Sequence, residues 1–86
     1  MGTADKILEG MRHNPRDWRI ENLITVAGKY GIEVRNHGGS HHIFSSPSVE
    51  LAVSVPAHRP IKPVYIKQFI VLIDQVKEKD RERQKD

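Results

Sequence analysis

Cysteine is absent from this 86-residue chain. That removes disulfide staples and thiolate zinc sites, so the fold must hold by packing alone, and it suits a reducing interior. Long apolar runs are also missing. Nothing approaches the roughly 20 residues that a membrane-spanning helix needs, and the first residues lack the apolar stretch of a signal peptide. Met1-Gly2 opens like a myristoylation signal, but Lys6 stands where such a signal needs Ser or Thr. The expectation is a soluble, cytoplasmic protein. A chain this short makes one domain with a modest core, which argues against a large cofactor cavity and leaves room for one simple site.

Net charge is low as well, at +3, yet it is unevenly placed. Residues 1 to 28 balance Lys6, Arg12, Arg16 and Arg19 against Asp5, Glu9, Asp17 and Glu21, and residues 68 to 86 balance five basic against five acidic groups. The middle holds Lys29, Arg35, Arg59, Lys62 and Lys67 against only Glu33 and Glu50, so the whole excess falls there. A polyanion would be drawn to that region. The same five basic groups are also an ordinary surface density, so charge alone admits both readings.

Periodicity supplies the elements. Ile7, Leu8 and Met11 give a weak amphipathic helix from Thr3, a plausible cap, and Pro15 ends it. Ile20, Leu23, Ile24 and Ala27 repeat at helical spacing up to Gly31, which suits a left-handed C-cap; Trp18 is expected to pack at the entrance, with base stacking as the alternative role. The period then drops to two: residues 32–35, 41–46 and 49–55 read as three strands joined by short turns, an antiparallel meander. Three prolines between Pro56 and Pro63 lack the amide hydrogen and are expected to end the ladder in an ordered loop. Pro63 opens a last helix on Ile66, Phe69, Ile70, Ile73 and Val76, running to about Glu78. Beyond it lies a charged tail without apolar residues, expected to fray or be disordered. The division is thus 1–16, an N-terminal helical extension; 17–78, the functional domain; and 79–86, the tail.

One stretch concentrates reactive side chains: Asn36-His37-Gly38-Gly39-Ser40-His41-His42-Ile43-Phe44. The glycines permit a tight turn with positive φ. Imidazole exchanges a proton near neutral pH, so three histidines within this stretch need an account. If Phe44 faces the helices, strand alternation puts His42 on the same side and turns His41 and Ile43 to the open face. His37 reads as a turn residue and His13 as solvated surface.

The element order, with Tyr30-Gly31-Ile32-Glu33-Val34, Gly39-Ser40-His41-His42-Ile43-Phe44 and Val55-Pro56-Ala57-His58, resembles the HicA family of bacterial mRNA-interferase toxins. The likeness runs from about Trp18 through Ile73. It implies an α+β fold like that of double-stranded-RNA-binding domains, with a three-stranded antiparallel sheet, helices packed on one face, and here an extra N-terminal helix. It also implies endonucleolytic cleavage of mRNA, a catalytic histidine that maps onto His41, and a HicB-type antitoxin protein as partner. The N-terminal helix and the charged tail depart from the short family pattern.

The residues fit that chemistry on their own terms. RNA carries its own nucleophile, the 2′-hydroxyl, so scission needs a base, neutralisation of the phosphate, and an acid for the leaving 5′-oxygen; it needs no metal and no cofactor. His41 is the expected base. His58 would serve as acid, hold the phosphate, or simply bond backbone groups in its loop. Lys62 and Arg59 supply cations, Lys62 beside the positive end of a helix dipole, and Gly39 and Ser40 offer backbone amides to a phosphate. A non-catalytic RNA-binding module of the same fold is the alternative. A metal site of His37, His41, His42 and His58 is disfavoured because adjacent strand residues point to opposite faces.

Overall fold

The computed structural model describes residues 2–36, 38–57 and 60–84. The order is α1 (Thr3–His13), α2 (Ile20–Lys29), β1 (Glu33–Arg35), β2 (His41–Ser45), β3 (Ala52–Pro56) and α3 (Pro63–Gln84). The strands form one antiparallel sheet in sequence order, β1-β2-β3, with Val34 opposite Phe44 and Phe44 opposite Val53. Phe44, Val53 and Val55 are buried against the helices, while His41, Ala52 and Ser54 on the other face are exposed. This is the α+β, double-stranded-RNA-binding-domain-like arrangement, with an added helix at its start.

The core forms where the strand and helix periods meet. Phe44 meets Phe69 of α3 edge to face, ring centroids 5.2 Å apart, the preferred aromatic geometry. Leu23, Val26 and Ala27 of α2 and Ile66, Leu72, Ile73 and Val76 of α3 close around that pair. Gly31, at φ +67°, ends the α2 turn in the left-handed region that glycine adopts without steric cost.

The N-terminal helix is part of this core. Ala4, Leu8 and Met11 lie on one face of α1, and Met11 is fully buried. Its polar edge is tied to both other helices: Asp5 pairs with Lys29 and accepts from the Tyr30 hydroxyl at 3.1 Å, and Arg12 forms a two-pronged pair with Asp74 of α3. Thr3 is the first helical residue rather than the cap; Gly2 takes the cap position, its amide facing the Asp5 carboxylate at 3.5 Å. Trp18 closes the α1–α2 corner. Its indole N–H donates to the Asn14 carbonyl at 2.6 Å, its ring lies on Gly10, and its own carbonyl accepts from Ile61 N–H at 3.0 Å in an isolated bridge.

β1 and β2 are each one residue shorter than the sequence reading, β1 beginning at Glu33 and β2 ending at Ser45, and three further boundaries differ for a local reason. β3 begins at Ala52 rather than Val49, because Ser46 organises a longer turn: its hydroxyl accepts from Ser48 N–H and its carbonyl from Val49 N–H. Pro56, expected to stop the ladder, is its last member and stands opposite His41. The bond beyond this pair, Ala57 N–H to Ser40 carbonyl at 2.7 Å, marks it as a non-hydrogen-bonded pair, where a missing amide hydrogen costs nothing. Finally, α3 continues to Gln84 instead of fraying near Glu78. The Lys, Glu, Arg and Gln of that stretch are good helix formers, and the helix they extend is already nucleated by its packed half.

Candidate active site

The turn before β2 is built by Asn36. Its side-chain oxygen accepts from Gly38 N–H at 2.7 Å, and its amide nitrogen donates to the Gly39 carbonyl at 3.0 Å. That closure requires the left-handed conformation of Gly38, φ +86°. The same amide nitrogen lies 3.1 Å from His42 Nε2. His42 is half-buried on the face of Phe44, paired with Val55, so it is occupied in holding the turn to the sheet.

His41 has the opposite orientation. It is exposed at the first position of β2, and its direct cross-strand partner is Pro56. Together with Pro60, Ile61, Lys62 and Tyr65 these two line a cleft of about 310 Å³. A second cleft of about 370 Å³ shares Pro60, Ile61 and Lys62 and continues to Arg16 and Asp17 in the α1–α2 corner. Lys62 therefore stands between two hollows, one holding the imidazole and the other a guanidinium.

The entrance to α3 fixes these positions. Tyr65 N–H donates to the Lys62 carbonyl at 3.0 Å, and Ile66 N–H reaches the same oxygen at 3.4 Å, so the Lys62 backbone caps the helix while its side chain remains exposed. Ile61 is buried and bridged to Trp18, which anchors the loop from the other side. The lysine is thus held at the N-terminal, electropositive end of a long helix.

Of the residues singled out by sequence, the structure brings His41 and Lys62 onto one cleft. Gly39 and Ser40 lie on the exposed turn leading into His41, one step outside that lining. His37, His58 and Arg59 fall outside the described residues. Two cleft residues escaped the sequence reading. Tyr65 carries a signal, an aromatic in the first turn after a proline cluster, but helical spacing accounts for it without giving it a role. Arg16 carries none, since only the α1–α2 corner brings it towards Lys62.

Among the described residues, clear pKa shifts are found where α1 is attached, away from the cleft. The Lys29 ammonium, foremost, with the Gly2 amide and the Tyr30 hydroxyl, holds the Asp5 carboxyl below the usual carboxylate range against partial desolvation. Burial first, and then the bond to Asp5, raises the Tyr30 hydroxyl. These shifts belong to the attachment of α1 rather than to the chemistry of His41.

A family model described as the HicA toxin of bacterial toxin-antitoxin matches residues 20–76. The fold is α+β and double-stranded-RNA-binding-domain-like. The chain belongs to the HicA toxin family. The match begins at α2, so α1 lies outside it. No curated protein and no solved structure matches the chain. Among the described residues, no helix is long and apolar enough to cross a membrane.

Proposed function

We propose that this protein is a metal-independent endoribonuclease, an mRNA interferase, that uses His41 as general base and is held in check by a HicB-type antitoxin covering the same face. The observation that carries the reading is the position of His41, exposed at the head of β2 on one cleft with Lys62. His41 takes the proton of a ribose 2′-hydroxyl, and that oxygen attacks the adjacent phosphorus. The bond from phosphorus to the 5′-oxygen breaks, and the leaving oxygen takes a proton from His58 or from water. Lys62 and Arg59 neutralise the phosphate, with the Gly39 and Ser40 amides beside it. The products are a 2′,3′-cyclic phosphate and a 5′-hydroxyl.

Incubation of the purified protein with single-stranded RNA in excess EDTA tests this. Cleavage is expected with those end groups, and His41→Ala is expected to lose it while keeping the fold. A requirement for a divalent ion, a 5′-phosphate product, or undiminished cleavage by the variant overturns the assignment. Binding without cleavage by the parent protein would favour the RNA-binding module.

A further inference from the structure

The cleft beside His41 has an aromatic wall, Tyr65, that the cleavage chemistry does not use. We infer that Tyr65 is a stacking platform for one unpaired nucleobase of the substrate, next to the phosphate held at Lys62, so that the protein takes single-stranded in preference to duplex RNA. The inference rests on the RNA-cleaving reading above for the identity of the substrate.

Four observations carry it. Tyr65 is half-buried and packed against the core on one side while it lines the cleft on the other, so the ring is held at little entropic cost. Among the described residues its hydroxyl makes no hydrogen bond, in contrast to Tyr30, whose hydroxyl is committed to Asp5. The remaining walls are Pro56, Pro60 and Ile61, with Lys62 the cation and His41 the imidazole. A slot with apolar walls, an aromatic side and a cation at its rim suits a nucleotide, flat base inside and phosphate outside. At about 310 Å³ the cleft lies at the low end of small-ligand sites, a space for one nucleotide and not for a helix of paired strands.

The chemistry demands the same thing. Attack by the 2′-oxygen needs that oxygen opposite the leaving 5′-oxygen across phosphorus, an alignment that stacked A-form RNA does not hold. One nucleotide must leave the stack, and an aromatic ring beside the base and cation captures it in the reactive geometry. Stacking is tolerant of base identity, because every base has a π-face.

The test measures binding of an uncleavable 2′-O-methyl RNA of mixed sequence, alone and annealed to its complement, by the parent protein and by Tyr65→Ala, Tyr65→Phe and Tyr65→Leu. Base–aromatic stacking of about 1–3 kcal/mol corresponds to an affinity loss of roughly 5- to 150-fold for the unpaired strand with Tyr65→Ala. Tyr65→Phe is expected to bind like the parent, duplex affinity to be unchanged, and the salt slope of Tyr65→Ala to match the parent's. Tyr65→Leu keeps an apolar group against the core without a π-face and is expected to bind like Tyr65→Ala, which separates stacking from loss of folding. Parent-like single-strand binding by Tyr65→Leu, equal losses for both forms of the RNA, or a Tyr65→Phe protein as weak as Tyr65→Ala would overturn the platform. No cleavage is read, so the two ideas fail separately: a His41→Ala protein that still cleaves removes the general base and leaves the platform standing.

Discussion

His41 and Pro56 face each other as a non-hydrogen-bonded pair at the open end of the β2–β3 ladder. In such pairs the side chains approach closely, so the imidazole stands beside a rigid pyrrolidine ring on the exposed face. One residue further, His42 is turned inward beside Val55 and Asn36. The two neighbouring histidines should therefore fail differently. His41→Ala is expected to lower the cleavage rate by about 10²- to 10⁴-fold with an unchanged melting temperature. His42→Ala is expected to cost about 1 kcal/mol of stability through the lost Asn36 contact and to retain cleavage per folded molecule. Denaturant titration and single-turnover cleavage of the two variants distinguish the roles; the reverse pattern would refute the facing.

Lys62 and Arg16 line adjoining clefts, so a bound strand passing His41 would meet both cations. Each phosphate contact removed from single-stranded RNA should reduce the slope of log affinity against log salt by about 0.7. Lys62→Ala and Arg16→Ala are each expected to do so, measured by fluorescence anisotropy across a salt series. The Lys62 backbone cap is untouched by the side-chain change, so α3 should keep its start. Unchanged slopes would place the RNA path elsewhere.

Two helical glycines make opposite predictions from their surroundings. A Cβ on Gly10 would lie 2.8 Å from the Trp18 ring, which is pinned by its bond to Asn14, whereas one on Gly28 would meet nothing within 4 Å. Overpacking costs about 1–3 kcal/mol, more than the gain of at most about 1 kcal/mol from replacing helical glycine with alanine. Gly10→Ala is thus expected to lower the melting temperature, and Gly28→Ala to raise it slightly. Equal shifts would mean that Trp18 yields freely.

Attachment of α1 should respond to acid. Asp5 has its pKa lowered in the folded protein from 3.8, chiefly by Lys29, so it binds protons less readily folded than unfolded. Its contribution to stability is present above the unfolded value and is lost as pH falls through the folded one. Denaturant midpoints measured from neutral pH down through that range are expected to fall more steeply for the parent than for Asp5→Asn, which is less stable at neutral pH. Parallel curves would detach Asp5 from the stability of this helix.

Local pattern determined most of the architecture. The helical stripe of α2 and α3, the switch to period two after Gly31, and the glycine turn before His41 each follow from the nearest few residues, because side-chain direction is set by backbone geometry. The orientation of His41 against His42 was legible for the same reason. What tertiary structure alone decided lies at the joins. Pro56 enters the ladder because its missing amide falls at a position that Ser40 and Ala57 leave free, a matter of register between strands. Met11 and the pairs Asp5–Lys29 and Arg12–Asp74 make α1 part of the core, which needs partners up to 62 positions away. Tyr65 and Arg16 reach the cleft beside His41 and the hollow behind Lys62 only because the Trp18–Ile61 bridge folds the α1–α2 corner onto the entrance of α3. Sequence spacing records neighbours along the chain, and these contacts are set by packing across it.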